Sequence, residues 1–430
     1  AEAIFGIGRA VATVFGDSTV STKIIIGKDT RESGDMIEDA LASGICSAGT
    51  DVCLAGILPT PAVAYLTAST DAAAGIVISA SHNPFCDNGI KIFDADGYKL
   101  SDAKEDEIER LLPAHNVDLT PGKSNHRIGS IETLKDAPER YLAFLRNTLP
   151  DPKRFNDMKI VLDCSNGATC AVAPKLFQDL GAQVEALHVR PDGKNINADC
   201  GSEHPETLID AVLAQKADIG LAFDGDGDRL VAVDEKGLII RGDRTLAICA
   251  RFLKRKGLLN NNLVVSTVMS NLGLRLALKE LGIRHLMAPV GDRYVLQQMN
   301  AAGAVIGGED SGHMIFLDQH TTGDGMLTAI RLIGIMCEES RPLSELSRVM
   351  TVFPQVLLNI DVKKKPAIED VPEIMAAIRS VEDCLGEQGR VLVRYSGTQP
   401  LCRVMVEGPD KDETRRYCQQ IADVVKAVLG

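Results

Sequence analysis

Short apolar runs alternate with helical patterns along most of the 430-residue chain. Three runs, at residues 23–27, 159–163 and 263–267, each lead through a small polar turn into a helical pattern that ends near a glycine. Another apolar run begins after each glycine, as expected for βαβ units in a largely parallel sheet. The wide spacing of the three runs suits three related α/β domains with mixed, largely parallel sheets rather than a solenoid.

The C-terminal segment follows a different pattern. Residues 391–393 and 403–406 alternate like strands and lie beyond the breakers Pro354 and Pro366. We therefore predict a smaller C-terminal α+β domain, and the domain ranges 1–135, 136–236, 237–350 and 351–430. Five apolar residues predict one buried helical face in this last domain: Tyr417, Ile421, Val424, Val425 and Val428.

Composition and charge exclude several classes of protein. The net charge of −13 disfavours a general nucleic-acid binder. The 11 cysteines include no C-x-x-C pair, which indicates reduced thiols in the cytoplasm. No apolar run approaches the roughly 18 residues of a membrane span. Residues 1–16 lack the basic start of a signal peptide and look like an amphipathic helix entered part-way.

Ser81 lies in a short polar segment, residues 79–84, directly after a strand-like apolar run. A hydroxyl at the end of a strand can act as a nucleophile or phosphate carrier if a base or a metal is close. Lys91, which follows a predicted turn, is a cation that could face an anion. An ordinary Ser/Asn turn explains this segment equally well when it is taken alone.

Asp224, Asp226 and Asp228 alternate with glycines after a buried-looking apolar run. Three close carboxylates repel one another unless a cation joins them, and their oxygens suit Mg²⁺ or Ca²⁺. An EF-hand is a weaker alternative: Glu235 stands at the twelfth position, but Arg229 occupies the sixth, where that loop needs glycine. A solvated acidic turn is the other alternative. The pattern favours a divalent-cation site.

Residues 307–313 form a glycine-rich segment after another apolar run. Glu309 and Ser311 can hydrogen-bond the neighbouring hydroxyls of a sugar, and His313 can donate or accept a proton near neutral pH. A glycine-rich turn with a structural histidine is at least as good an explanation of this segment alone.

A fourth polar segment combines arginines, hydroxyls and a glycine. Arg394, Ser396, Gly397 and Thr398 lie together, and Arg403 follows on the next strand-like run. Two guanidinium groups with hydroxyls and exposed N–H groups can clamp a phosphate. A β-turn with unrelated arginines is the alternative.

The four segments together supply a hydroxyl carrier, a cation site, sugar-facing polar groups and a phosphate site. Phosphoryl transfer needs little more than positioning and charge neutralisation. The chain has neither a G-x-x-x-x-G-K-[ST] loop nor a G-x-G-x-x-G fingerprint. Because both nucleotide motifs are missing, we expect the phosphoryl group to come from the protein and to return to it.

In this order along the chain, the four segments resemble those of the α-D-phosphohexomutase superfamily over nearly the whole length. Segments 267–271, 290–295, 307–313 and 394–398 are most similar to those of the bacterial phosphoglucosamine mutases. The resemblance implies an isomerase with its active site in a central cleft. The implied reaction interconverts glucosamine 6-phosphate and glucosamine 1-phosphate through a phosphoserine and a bisphosphorylated sugar, on the way to UDP-N-acetylglucosamine.

The resemblance also implies roles for individual residues. Mg²⁺ is assigned to Ser81, Asp224, Asp226 and Asp228, with Ser81 as the phosphoserine. Arg229 is assigned to the transferring phosphoryl group, and Lys91 and His313 to proton transfer. The sugar and its non-reacting phosphate are assigned to a further set: Glu309, Ser311, Arg394, Ser396, Gly397, Thr398 and Arg403.

The implied activator is a sugar bisphosphate, either glucosamine 1,6-bisphosphate or glucose 1,6-bisphosphate. The implied partner is a hexosamine phosphate, with no nucleic acid and no membrane, in the cytoplasm; a homodimer is left open. The family's Phe-Gly-Thr-Asp-Gly-Ile-Arg-Gly-like strand is absent, and Gln399 stands in place of the usual glutamate. Two alternatives remain: a phosphomannomutase or phosphoglucomutase, and a non-catalytic sugar-phosphate-binding or Ca²⁺-binding protein.

Overall fold

A computed structural model describes residues 2–16, 22–112, 127–149, 155–396 and 399–430. The chain divides into two compact units. The larger comprises Ala1–Val268 with Leu286–Arg348, and the smaller comprises Met269–His285 with Val349–Gly430. Among the described helices, none is both long and apolar enough to cross a membrane.

Helices occur throughout the described chain. Their bounds are α1 (Glu2–Phe15), α2 (Gly34–Ser47), α3 (Thr60–Ala68), α4 (Asp102–Leu111), α5 (Ala137–Asn147), α6 (Ala173–Asp179), α7 (Glu206–Gln215), α8 (Gly242–Arg255), α9 (Leu272–Glu280), α10 (Asp292–Ala302), α11 (Gly325–Glu339), α12 (Leu343–Leu346), α13 (Pro372–Leu385) and α14 (Lys411–Leu429).

The strands alternate with these helices. Their bounds are β1 (Lys23–Lys28), β2 (Asp51–Ile57), β3 (Ala72–Ile78), β4 (Ile90–Asp94), β5 (Ile131–Thr133), β6 (Lys159–Asp163), β7 (Gln183–Leu187), β8 (Ile219–Phe223), β9 (Leu230–Asp234), β10 (Ile239–Ile240), β11 (Leu263–Thr267), β12 (Arg284–Ala288), β13 (Ile306–Gly308), β14 (Met314–Phe316), β15 (Gln355–Asp361), β16 (Arg390–Tyr395) and β17 (Leu401–Glu407). Strands β6 and β11 have the predicted bounds.

The first sheet has the strand order β4-β3-β1-β2-β5. Strand β1 runs parallel to β2 and β3, β2 runs parallel to β5, and only β4 is antiparallel. Helices α1 and α2 pack closely at two glycines: a Cβ at Gly8 would clash with the Leu41 carbonyl, and a Cβ at Gly44 with the Phe5 carbonyl. Their apolar faces and the strands form one hydrophobic core.

Two further sheets follow along the chain. One has the order β10-β9-β8-β6-β7. In it, β8, β6 and β7 run parallel, β9 runs antiparallel to β8, and β10 runs antiparallel to β9. The other has the order β12-β11-β13-β14, with β11 parallel to β13 and β14 antiparallel to it. The predicted α/β class with mixed, largely parallel sheets is confirmed.

The smaller unit contains a three-stranded sheet of order β15-β17-β16, and both strand pairs are antiparallel. Helices α13 and α14 cover its apolar face, so the predicted C-terminal α+β fold is also confirmed. One detail of the helical face was wrong: Val428 is 43% exposed, whereas Cys418 and Leu429 are buried. The four domain ranges stay predictions.

Candidate active site

Ser81 lies on the turn that follows β3, where its backbone takes the left-handed conformation with φ of 52°. Its amide donates to Oγ of Ser79 (3.0 Å), and its own Oγ donates to Oδ2 of Asp224 (2.6 Å). Left-handed backbone at a residue other than glycine is costly and occurs often at functional sites. The turn therefore presents the Ser81 hydroxyl to the aspartate loop.

A buried arginine fixes the backbone of the Ser81 turn. The Arg31 guanidinium donates to the carbonyls of Ser81 (3.2 Å) and Asn83 (2.8 Å), and also to that of Pro84. Oδ2 of Asp29 accepts a hydrogen bond from the same guanidinium (2.9 Å) and another from Oγ of Ser79 (2.5 Å). The charged pair is almost fully buried, so it acts as an internal brace for the turn.

Asn197 and His82 complete the surroundings of the turn. The Asn197 amide donates to the carbonyls of Ser81 (2.9 Å) and Asn83 (3.0 Å). Nδ1 of His82 lies 3.5 Å from the Ser81 Oγ. Burial, together with the nearby Arg229 charge, lowers the pKa of His82. The imidazole is therefore held toward its neutral form.

Asp224, Asp226 and Asp228 converge in the tight connection between β8 and β9. One carboxylate oxygen of each lies within 4.8 Å of those of the others, and all three residues are buried. The intervening glycine is required, because a Cβ at Gly225 would lie 2.6 Å from the Ser81 carbonyl. The flanking elements are strands, which excludes the helix–loop–helix frame of an EF-hand.

Lys91 lies on β4 and faces this aspartate cluster. Its Nζ is 2.5 Å from Asp226 and 3.1 Å from Asp228. Burial alone would lower the pKa of Lys91, but these two carboxylates outweigh it and raise the pKa above its ordinary value. The amine is therefore a charged counter-ion and hydrogen-bond donor in this arrangement. Thr60, at the start of α3, also donates to Asp226.

The remaining oxygens of the cluster fit a divalent cation. Oδ1 of Asp226 and Oδ1 of Asp228 are buried and make no hydrogen bond within the described residues. Burial and the two neighbouring carboxylates raise the pKa of Asp224. For Asp228, Lys91 and His313 overcome the effect of burial and lower the pKa. Crowded carboxylate oxygens of this kind suit a hard cation such as Mg²⁺.

Arg229 follows the cluster directly. Its amide donates to Oδ1 of Asp224 (3.1 Å), and its guanidinium lies 3.7 Å from Glu203 and 3.8 Å from Asp228. Burial opposes the charge, yet Asp224 and Asp228 raise the pKa of Arg229. A guanidinium held here can donate to an anion beside the cluster.

His313 follows the β13–β14 turn and is buried between two carboxylates. Nδ1 lies 3.6 Å from Asp228 and Nε2 lies 3.6 Å from Asp292. Nε2 accepts a hydrogen bond from the Gly323 amide (3.2 Å), so in the neutral ring the proton sits on Nδ1 and faces Asp228. Lys99 pairs with Asp292; His313 and Lys99 overcome burial and lower the pKa of Asp292 to about 2.

Glu309 and Ser311 lie in the same turn with different surroundings. Oε1 of Glu309 accepts from the Gly291 amide (3.0 Å), which ties the turn to the start of α10. Oγ of Ser311 is buried and makes no hydrogen bond within the described part of the chain. Ser311 is therefore available to a ligand, whereas Glu309 already has one structural contact.

In the smaller unit, Arg394 and Arg403 are directly opposite each other on β16 and β17. Burial and the Arg403 charge lower the pKa of Arg394. Neither makes an ion pair within the residues that the structure describes, so the pair fits an anion. Ser396 is buried, and its carbonyl accepts from Lys365 (2.8 Å). Gly397 and Thr398 lie outside the described residues.

Several residues of this arrangement were missed in the sequence: Asp29, Arg31, Thr60, Asn197 and Asp292. A usable signal existed for the first two, because they directly follow the buried strand β1, where parallel strands place functional loops. Asn197 and Asp292 carry no comparable local signal, since their contacts come from distant parts of the chain.

Comparison with protein families gives a match in each quarter of the chain. Residues 1–116, 139–237 and 241–353 match α/β/α domains I, II and III of the phosphoglucomutase/phosphomannomutase family. Residues 357–424 match the C-terminal domain of the same family.

Similar proteins span the full chain. Phosphoglucosamine mutase of Syntrophus aciditrophicus is 57% identical and covers 100% of this chain and 96% of its own. That of Syntrophobacter fumaroxidans is 56% identical, with 99% and 95% covered. The structure of a phosphoglucomutase/phosphomannomutase family protein from Burkholderia thailandensis has a TM-score of 0.80 at 27% identity, covering 99% of this chain and 93% of its own.

Proposed function

The chain belongs to the phosphoglucomutase/phosphomannomutase family, and we propose that it interconverts glucosamine 6-phosphate and glucosamine 1-phosphate. Membership in this family confirms the resemblance that the four segments indicated. It also confirms that the protein is a mutase, an enzyme of the isomerase class. The choice of glucosamine rests on relatives of more than half identity that carry the name phosphoglucosamine mutase.

One contact carries the chemical part of the proposal: the 2.6 Å hydrogen bond from Ser81 Oγ to Asp224. In the proposed reaction, the phosphoryl group on Ser81 passes to the free hydroxyl of the sugar phosphate. The P–O bond to serine breaks, and the resulting bisphosphate returns its other phosphoryl group to Ser81. A Mg²⁺ ion held by Ser81, Asp224, Asp226 and Asp228 would neutralise charge on the transferring group.

The surrounding side chains supply the remaining steps. Arg229 donates hydrogen bonds to the transferring phosphoryl group, for which its position beside Asp224 and Asp228 is suited. Charged Lys91 donates a proton to the serine oxygen as the phosphoryl group leaves it. We assign the proton of the attacking sugar hydroxyl to His313, whose Nε2 becomes available as a base once the hydrogen bond from the Gly323 amide opens.

We assign substrate binding to the two other polar segments. Glu309 and Ser311 hydrogen-bond the sugar hydroxyls, supported by the unused Oγ of Ser311. The non-reacting phosphate is bound by Arg394, Ser396 and Arg403, with Gly397 and Thr398 assigned from the sequence alone. A sugar bisphosphate primes the protein by phosphorylating Ser81. A cytoplasmic location and a homodimer stay predictions from the sequence.

A coupled assay tests the choice of sugar. Purified protein, Mg²⁺ and a trace of sugar bisphosphate are supplied with the 6-phosphates of glucosamine, mannose or glucose. We expect kcat/KM to be highest for glucosamine 6-phosphate, by roughly tenfold or more. Turnover of the mannose or glucose phosphate without turnover of the glucosamine phosphate would overturn the proposal. A folded protein that turns over none of the three would favour the non-catalytic alternative.

A further inference from the structure

A second group of metal-ligating side chains lies behind the aspartate loop. Asp163 ends β6, His188 follows β7, and Cys200 lies in the loop before α7. One ligand atom of each lies within 4.8 Å of those of the other two. Asp163 and Cys200 are buried, and His188 is partly buried. The proposed reaction uses none of these three residues.

The contacts of Asp163 leave capacity for a metal. Its Oδ1 accepts from the Ser165 amide (2.9 Å), and its Oδ2 accepts from the Gly201 amide (2.9 Å). Each oxygen therefore retains a second lone pair. Nδ1 of His188 lies 3.0 Å from Oδ1 of Asp163, yet this buried nitrogen makes no well-directed hydrogen bond within the described residues. In the neutral imidazole, Nδ1 of His188 can therefore present its lone pair to a ligand shared with Oδ1 of Asp163.

We propose that Asp163, His188 and Cys200 bind a zinc-like divalent cation at a site separate from the aspartate cluster. One carboxylate oxygen, one imidazole nitrogen and one sulfur are a donor set typical of Zn²⁺ and unsuited to Mg²⁺. In tetrahedral Zn²⁺ sites the metal–ligand distances are about 2.0–2.3 Å, so the three atoms close in on the cation by a small rotation of their side chains. A water completes the fourth position.

Binding replaces the proton of the Cys200 thiol. Burial, followed by the Asp163 charge, raises the pKa of this thiol to about 12, so without a metal the sulfur is protonated. The metal–sulfur bond forms as the S–H proton is released to solvent. Without a metal, Asp163 and His188 form an ion pair, in which Asp163 raises the pKa of His188. The two states differ in whether sulfur is a ligand.

The site is linked to the Ser81 turn by short connections. Asn197, three residues before Cys200, donates to the carbonyls of Ser81 and Asn83. The backbone N–H of Asn197 in turn donates to the carbonyl of Ser165, which lies two residues after Asp163. A cation bound to Asp163 and Cys200 holds the chain close to Ser165 and to Asn197, the two residues joined by this hydrogen bond. It therefore stabilises the loop that supports the Ser81 backbone.

Cobalt(II) is the probe that tests this site, because only a thiolate ligand gives an intense near-ultraviolet Co²⁺–sulfur absorption band. Full-length protein saturated with Mg²⁺ is titrated with CoCl₂. We expect the band to rise to one equivalent of Co²⁺ and to be displaced by Zn²⁺. Cys200→Ser loses the band. Cys249→Ser, which alters another buried cysteine of the larger unit, keeps it.

His188→Asn provides a second variant in case Cys200→Ser does not fold. The backbone of His188 is left-handed, with φ of 49°, and asparagine tolerates that conformation well. We expect this variant to fold and to lose most of its Co²⁺ affinity. Ser81→Ala keeps the band, so the result is independent of the proposed function. Absence of the band in the parent protein, or its persistence in Cys200→Ser, overturns the proposal.

Discussion

The Oγ of Ser81 donates a 2.6 Å hydrogen bond to Oδ2 of Asp224, which joins the end of β3 to the turn between β8 and β9. The hydroxyl proposed as phosphate carrier thus already touches the first carboxylate of the proposed metal site. Burial and two neighbouring carboxylates raise the pKa of Asp224. A positive charge placed nearby would therefore stabilise the ionised form of this carboxyl group. Arg31 and Asn197, from other parts of the chain, hold the backbone of the same turn.

Asp226→Asn is expected to lower kcat by about 100-fold or more, because it removes a charged ligand from the proposed metal site. Stability should change little, since the loss of the Lys91 contact is offset by reduced repulsion among three buried carboxylates. Steady-state assays over a range of Mg²⁺ concentrations and denaturant unfolding check both parts. Asp94→Asn, on the same strand as Lys91, is the matched control and should retain activity.

Arg31→Lys is expected to lower both stability and kcat. Lysine keeps the charge beside Asp29 but cannot donate to several carbonyls of the Ser81 turn at once. The free energy of unfolding should fall by about 2–3 kcal/mol. Denaturant unfolding and the split between kcat and KM measure the two effects. Arg140→Lys, in an exposed pair with Asp136, should leave both unchanged; equal effects in the two variants would contradict the bracing role.

Asp324→Asn is expected to change how stability depends on pH. Burial raises the pKa of Asp324 from its ordinary 3.8 to about 6, and Tyr141 donates to this carboxyl (2.9 Å). Between these two values the folded state binds more protons than the unfolded state. Stability from this group is therefore highest below pH 4 and is lost as pH rises through about 6.

The loss at neutral pH amounts to about 3 kcal/mol, at 1.4 kcal/mol per pKa unit. Asparagine also caps helices well, so the Leu327 amide keeps its acceptor. Asp324→Asn should thus raise the free energy of unfolding at pH 7 by about 1–3 kcal/mol and flatten the curve between pH 4 and 6. Denaturant unfolding across pH checks this, with exposed Asp210→Asn as control. An unaltered curve would show that Asp324 is ionised normally.

Arg403→Ala is expected to raise KM for both phosphate isomers alike, by roughly 10–100-fold, because a charge-assisted hydrogen bond to the non-reacting phosphate is lost. The phosphorylated fraction of Ser81, measured by intact mass, should not change. Arg415→Ala, on the exposed side of α14, is the control. A selective effect on one isomer, or on kcat alone, would contradict a clamp on the non-reacting end.

Much of the fold followed from local pattern. Strands β6 and β11 were predicted to the residue, because buried parallel strands form continuous apolar runs bounded by polar turns. The error at Val428 arose because its apolar side chain continues the helical face that Cys418 and Leu429 fill instead. Periodicity marks a face approximately and does not decide its edge.

Some residues of the candidate site were also recognisable from local sequence, whereas others were not. Asp224, Asp226 and Asp228 were recognisable because three carboxylates alternate with glycines in one turn. From the residues alone, Lys91 was predicted as a cation that could face an anion, and the resemblance implied a role in proton transfer; the structure gives it named partners. Asn197 reaches Ser81 across 116 residues of sequence, so only the folded chain reveals it. Arg31 reaches Ser81 across 50 residues, and its position directly after β1 was the one local signal for it.

The central claim is that Ser81 carries the phosphoryl group, and intact-mass measurement during a single turnover tests it most directly. Phosphorylated protein is mixed with no more than an equimolar amount of glucosamine 6-phosphate and Mg²⁺, and the mass of the chain and the sugar products are followed together. We predict that the chain loses one phosphoryl group as bisphosphate forms and regains one as glucosamine 1-phosphate appears, and that Ser81→Ala neither carries phosphate nor turns over substrate. Full turnover by Ser81→Ala would contradict the account.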